Sequence, residues 1–134
     1  MADLVTIRTR LAANLATVPG LRTSAEIIDN PSPPVALVNL EGVEYDGAMK
    51  GGLTTYNFTI VLVVGRAAER TMQRKLDGYL QPTGQQSVKS AVESDRTLAG
   101  EVYDLRVESA QSVGSITIND QTYLAAEFTV TVFA

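Results

Sequence analysis

Cysteine, histidine and tryptophan are all absent from this 134-residue chain. Without cysteine there is no disulfide framework and no thiolate chemistry. Without histidine, the commonest general base and the commonest metal ligand are lost together. A Ser–His nucleophilic system is therefore excluded outright. Aromatic residues make up only 6% of the chain, which argues against an aromatic-lined ligand pocket. Long apolar runs are missing as well. Residues 61–64 are only strand-sized, far short of a membrane span. The opening Met1, Ala2, Asp3 and Leu4 lack the basic and apolar regions of a signal peptide, so a soluble protein that stays where it is made is expected.

Positive charge is in deficit too. Eleven Lys and Arg against fifteen Asp and Glu leave a net charge of -4 and a pI near 4.7. Proteins that grip nucleic-acid phosphates usually carry the opposite balance. An acidic protein suits a surface that DNA slides past, because like charges do not adhere.

What the chain does have is apolar patterning. Apolar residues are 45% of the total, enough for one sizeable core in a single domain over residues 1–134. Residues 2–18 read as an amphipathic helix, with Leu4, Ile7, Leu11, Leu15 and Val18 at helical spacing. Asp3 sits where negative charge suits the helix dipole, and Pro19-Gly20 ends the helix. Residues 23–28 and 35–40 read as short strands separated by the proline-rich break at 30–34.

Residues 42–52 read as an eleven-residue connection with four glycines. Connections that long inside a compact domain usually serve a purpose or stay mobile. Residues 53–64 carry the strongest strand signal, and Gly65 is expected to end it. Residues 67–80 switch to helical period, and Ser87 is the expected N-cap of a short helix reaching about residue 94. Residues 101–109, 116–118 and 123–133 read as strands, with a turn at Asn119-Asp120. The expected fold class is α+β: a central, mostly antiparallel or mixed sheet, flanked by an N-terminal helix and two middle helices.

Chemical machinery is sparse. Ser87 and Lys89 form the only close Ser–Lys pair, but they lack the spacing that puts a lysine one helical turn from a serine. Glu41, Glu44 and Asp46 cluster beside the long connection and would suit acid–base work or a hard cation. Their spacing matches no EF-hand, however, and a solvated acidic loop is the favoured reading, since acidic side chains prefer exposure. Residues 47–52 (GAMKGG) superficially suggest a phosphate loop. The lysine precedes the paired glycines and a strand follows, so the nucleotide reading fails. No catalytic, cofactor-binding or metal-binding residue is assigned. Arg66, Arg70 and Arg74 recur every four residues, with Lys75 alongside. On one helix they would form a basic stripe, either a solvated face balanced by Glu69, Asp77 and other acids or a contact for an acidic partner or for acidic residues of an adjacent copy.

Five segments are similar to a tail-terminator family of long-tailed phages of actinobacteria, related to lambda-type terminators. They are residues 11–22 (LAANLATVPGLR), 43–46 (VEYD), 76–80 (LDGYL), 87–98 (SVKSAVESDRTL) and 123–132 (YLAAEFTVTV). The resemblance runs in order along essentially the whole chain. It implies a non-enzymatic, ring-forming subunit whose hexamer caps the tail tube and stops its polymerisation. Such a ring joins the tail to head-closure or connector proteins, with genomic DNA passing through the bore without sequence-specific binding. The implied location is the virion neck, after assembly in the host cytoplasm, with no cofactor and no membrane.

That family has no catalytic residues to transfer, so the candidate positions are contacts. The glycine-rich connection, with Glu44, Tyr45, Asp46, Met49 and Lys50, is expected to touch the tube or a neighbouring subunit. The stripe of Arg66, Arg70 and Arg74 is expected at or near a ring contact. The competing expectations are another neck component, such as a head-closure or tail-completion protein, and a tail-tube subunit. More distant are a small enzyme built on the carboxylates and a free ligand-binding module.

Overall fold

The computed structural model describes residues 3–24, 34–45, 54–66, 70–118 and 120–134. Within them the chain forms helix α1 (Leu4–Leu15) and strands β1 (Arg22–Ser24), β2 (Val35–Glu44) and β3 (Thr55–Arg66). Helices α2 (Arg70–Leu80) and α3 (Val88–Val92) follow, then a 3-10 turn (Glu93–Asp95) and strands β4 (Asp104–Ile118) and β5 (Gln121–Phe133). The strands make one five-stranded sheet in the order β1-β2-β3-β5-β4. Only β1 and β2 pair in parallel; the other ladders are antiparallel. This is the α+β class expected, with a mixed sheet. Among the described residues no helix is long and apolar enough to cross a membrane.

α1 begins where the Asp3 carboxylate accepts the Thr6 amide at 2.8 Å, a side-chain cap for one of the helix's orphan donors. Its apolar stripe of Ile7, Leu11 and Leu15 is fully buried. The helix stops three residues before Val18 because the Asn14 carbonyl is taken by both the amide and the hydroxyl of Thr17. The Asn14 side chain meanwhile donates to the carbonyls of Val92 and Asp95, tying α1 to α3 and the 3-10 turn. Ser87 is the N-cap of α3, as its position suggested: its hydroxyl accepts the Ser90 amide and donates to the Gln81 carbonyl.

Strand alternation puts one set of side chains under the helices. Phe58, Ile60, Leu62 and Val64 on β3 join Ala126, Phe128, Val130 and Val132 on β5. The buried stripes of α1, α2 and α3 complete this core, so the described helices share one face of the sheet. The opposite face has its own small apolar cluster of Val35, Leu37 and Val63, with Val61, Ile116 and Tyr123 packed against it. Between that cluster and the far end the face turns polar. The ladder places Ser109, Thr129, Thr59 and Asn39 side by side across four strands.

Several strands differ from their expected extents, and bulges are the reason. β2 runs on through Gly42, Val43 and Glu44, which pair with Asn57, Tyr56 and Thr55. A register shift between Leu40 and Gly42 breaks the alternation that would have marked those residues as strand. The connection therefore starts beyond Glu44, not at Gly42. Gly65 does not end β3 either. It lies inside the strand at a second shift, where a Cβ would collide with the sulfur of Met72 on α2. Residues 101–109 and 116–118 belong to no separate strands: β4 is continuous from Asp104 to Ile118, with shifts at Val107/Ser109 and Gln111/Gly114. Ser112 takes a left-handed φ of 54° at the second shift.

β4 is a long edge strand, the kind of edge that invites unwanted pairing. Its bulges interrupt that edge, and a side chain caps part of it. The Glu93 carboxylate accepts the Val107 amide at 2.9 Å while pairing with Lys89 one helical turn away. After the 3-10 turn, Leu98, Ala99 and Gly100 are all left-handed, at φ 49°, 59° and 85°. That conformation is costly for the two non-glycine residues. It is held by full burial of Leu98 and by the Ala99 amide donating to the Asp95 carboxylate at 2.8 Å.

Candidate functional site

The expected contact residues divide between the two ends of the sheet. β2 and β3 are antiparallel, so Glu44 at the end of β2 lies opposite Thr55 at the start of β3. Thr55 in turn pairs with Phe133, and the Phe133 carbonyl accepts the Tyr103 amide at 2.8 Å. Glu44, Tyr45 and Tyr103 are therefore brought to one end of the sheet by three successive strand pairings. Tyr45 is 75% exposed and Tyr103 71% exposed. Glu41 and Glu44 are exposed there as well, and Glu41 accepts a hydrogen bond from Asn39. Asp46, Met49 and Lys50 lie outside the described residues, so the three-carboxylate cluster and the loop tip are not placed.

Arg66, Arg70 and Arg74 do not form a single helical stripe. Arg66 is the last residue of β3, whereas Arg70 and Arg74 lie on α2. The four-residue spacing spans a change from strand to helix, where a helical period has no meaning. All three are exposed nonetheless, as is Lys75. Met72 on the first turns of α2 packs over Gly65, so α2 starts beside the end of β3, but Arg66 pairs with Tyr123 on the sheet face away from the helices. On α2 the buried side is Met72, Leu76 and Tyr79, which leaves the cations to the solvent side.

Ion pairs are concentrated elsewhere. Lys89 pairs with Glu93, Arg96 with Asp104, and Arg106 with Glu108. The Arg96 guanidinium makes two hydrogen bonds to Asp104, which hold that carboxyl below its usual range and raise the arginine. Burial alone would raise the Glu93 carboxyl, but the Lys89 hydrogen bond and the Val107 amide outweigh it and leave the group lowered. Among the described residues Arg66, Arg70, Arg74 and Lys75 have no ion-pair partner.

No described arrangement resembles a reaction centre. The Ser87 hydroxyl is 1% exposed and engaged on both sides, while Lys89 turns to Glu93 and not to the serine. A shallow depression of about 260 Å³ beside α3 is lined by groups such as Thr17, Gln85, Ser90 and Ser94, with no acid, base or aromatic ring. Among the described residues no group of three or more acidic side chains is placed to hold a metal ion. Comparison with models of known protein families and with curated proteins gave no match to this chain.

Two residues of consequence carry no signal in the sequence. Tyr103 follows a left-handed turn and precedes a strand, so neither period flags its exposure. Glu93 reads as one more acid on a short helix. Its role as an edge cap depends on a partner fourteen residues away, and only the fold brings the two together.

Proposed function

We propose that the chain is a tail-terminator subunit of a long-tailed phage, a structural protein and not an enzyme. Copies assemble as a hexameric ring that caps the tail tube, halts its growth and binds the head-closure or connector proteins. Genomic DNA passes through the bore. The observation that carries this reading is the ordered set of five segments, from Leu11 to Val132, that resembles such proteins along the whole chain.

Three physical features support it. The α+β fold, with helices on one face of a central sheet, is of the kind the resemblance implies. The net charge of -4 suits a ring that DNA must traverse without sticking. The exposed side chains at the sheet ends include tyrosines and, among the described residues, arginines without an ion-pair partner, types enriched at protein contacts. On this reading Glu44, Tyr45, Arg66, Arg70 and Arg74 are contact residues, and the ring belongs to the virion neck.

Removing the chain from phage production tests the reading. Full capsids without attached tails, accompanied by tubes of uncontrolled length, are expected under the electron microscope. Tails of normal length joined to heads would overturn it.

A further inference from the structure

Among the described residues, one end of the sheet is rich in unpaired cations and the other in unpaired carboxylates, and the strand pairing dictates which residues go where. At one end are Arg66, Arg70, Arg74 and Lys75. Arg22 joins them, because it opens β1 and pairs with Val35 at the start of β2, which lies beside the end of β3. All five are exposed, and none has an ion-pair partner among the described residues; the exposed Asp120 of the β4–β5 turn lies at this end too and offsets one of the five charges. At the other end are Glu41, Glu44, Tyr45 and Tyr103. The arginines nearest that end, Arg96 and Arg106, are already occupied by Asp104 and Glu108. Among the described residues the free character of this end is thus acidic and aromatic.

β3 joins the two ends through twelve residues, a span of about 36 Å at roughly 3.3 Å per residue. That is several times the Debye length of about 8 Å at physiological salt, so the ends do not neutralise each other within one chain. Each is left available to a second molecule.

We propose that the arginine end of one copy docks on the tyrosine–glutamate end of another. The occupant is a second copy because both halves of the complement are on this chain: among the described residues, guanidinium groups without an ion-pair partner at one end, and carboxylates without one beside exposed tyrosine rings at the other. Arginine serves both, pairing with the carboxylates and stacking on the rings. The surfaces are different, so the contact is heterologous. It propagates from copy to copy and gives a ring if the rotation closes, or an open stack if it does not. This rests on the self-association contained in the terminator reading but not on six-fold symmetry, and it names the two surfaces.

The test uses two charge-reversed forms of the full chain, Arg70→Glu/Arg74→Glu and Glu41→Lys/Glu44→Lys, with circular dichroism verifying that each is folded. Association is measured by mass photometry and sedimentation at low salt and at about 1 M salt, where the Debye length is about 3 Å. The wild type is expected to self-associate more weakly as salt rises. Each reversed form alone should lose about tenfold or more in association, and an equimolar mixture of the two should regain it. A wild type that stays monomeric throughout, reversed forms that assemble like the wild type, or a mixture that fails to recover would each overturn the contact. Six-membered rings in both reversed forms would overturn it while leaving the terminator reading intact. Recovery of a mixed assembly of another symmetry would support the contact and count against the hexamer.

Discussion

Replacing Glu93 with alanine should expose how the edge of the sheet is guarded. Its carboxylate is the acceptor for the Val107 amide at 2.9 Å and the partner of Lys89. The glutamate side chain is 18% exposed and the lysine 42%, so the two interactions differ in worth. The amide bond to a charged, largely buried acceptor contributes about 1.5–3 kcal/mol. The lysine pair, half in water and within one helix, adds about 0.3–0.5 kcal/mol. Glu93→Ala should therefore cost about 2 kcal/mol. With a urea slope of about 2 kcal/mol per molar for a chain of this size, the midpoint falls by about 1 M.

Glu93→Gln keeps an oxygen for the amide but loses the charge, so it should fall between the two. The pH dependence follows from the lowered carboxyl. The stability Glu93 contributes is complete above its ordinary pKa of 4.5 and is lost as pH drops through the folded value below it. The gap between wild type and Glu93→Gln should accordingly close in acid. Denaturant titrations at fixed protein concentration, with hydrogen exchange at Val107, read both effects. An alanine form within 0.5 kcal/mol (on the order of ordinary surface changes) of the wild type, or a Val107 amide that exchanges freely in the wild type, would refute the reasoning.

Other perturbations have equally definite directions. Gly65→Ala should destabilise the fold by about 1–3 kcal/mol through its clash with Met72, and adding Met72→Ala should recover part of that in a double-mutant cycle. Ala99→Gly should stabilise by about 0.5 kcal/mol, since its left-handed φ of 59° strains alanine; a loss of stability would mean the turn is set by something else. Ser87→Ala should cost about 1–2 kcal/mol in urea unfolding, because it removes the cap of α3 and the buried bond to Gln81.

The parts of the fold that were legible in the sequence are those with unbroken periods. α1, the body of β3, and β5 each keep one period for nine residues or more, and each is found where it was expected. The end of β2 and the middle of β4 were not legible, because every bulge shifts the alternation by a residue and makes a strand look like a loop. The parallel pairing of the three-residue β1 with β2 has no local signature at all. For the contact residues, type was legible and grouping was not. Arg66, Arg70 and Arg74 were recognisable as exposed cations, but the change from strand to helix puts Arg66 on the helix-free face and the other two on the outer side of α2, not on one helical stripe. Tyr103 joined Tyr45 only through the pairing with Phe133.

The central claim, that this chain forms the ring closing a tail tube, is tested most directly by cryo-electron microscopy of the intact phage neck, with this chain placed by side-chain fit. A single six-fold ring between the last tube ring and the head-closure ring is the predicted result. Repeated rings along the tail, a ring against the portal, or absence of the chain from the neck would contradict it.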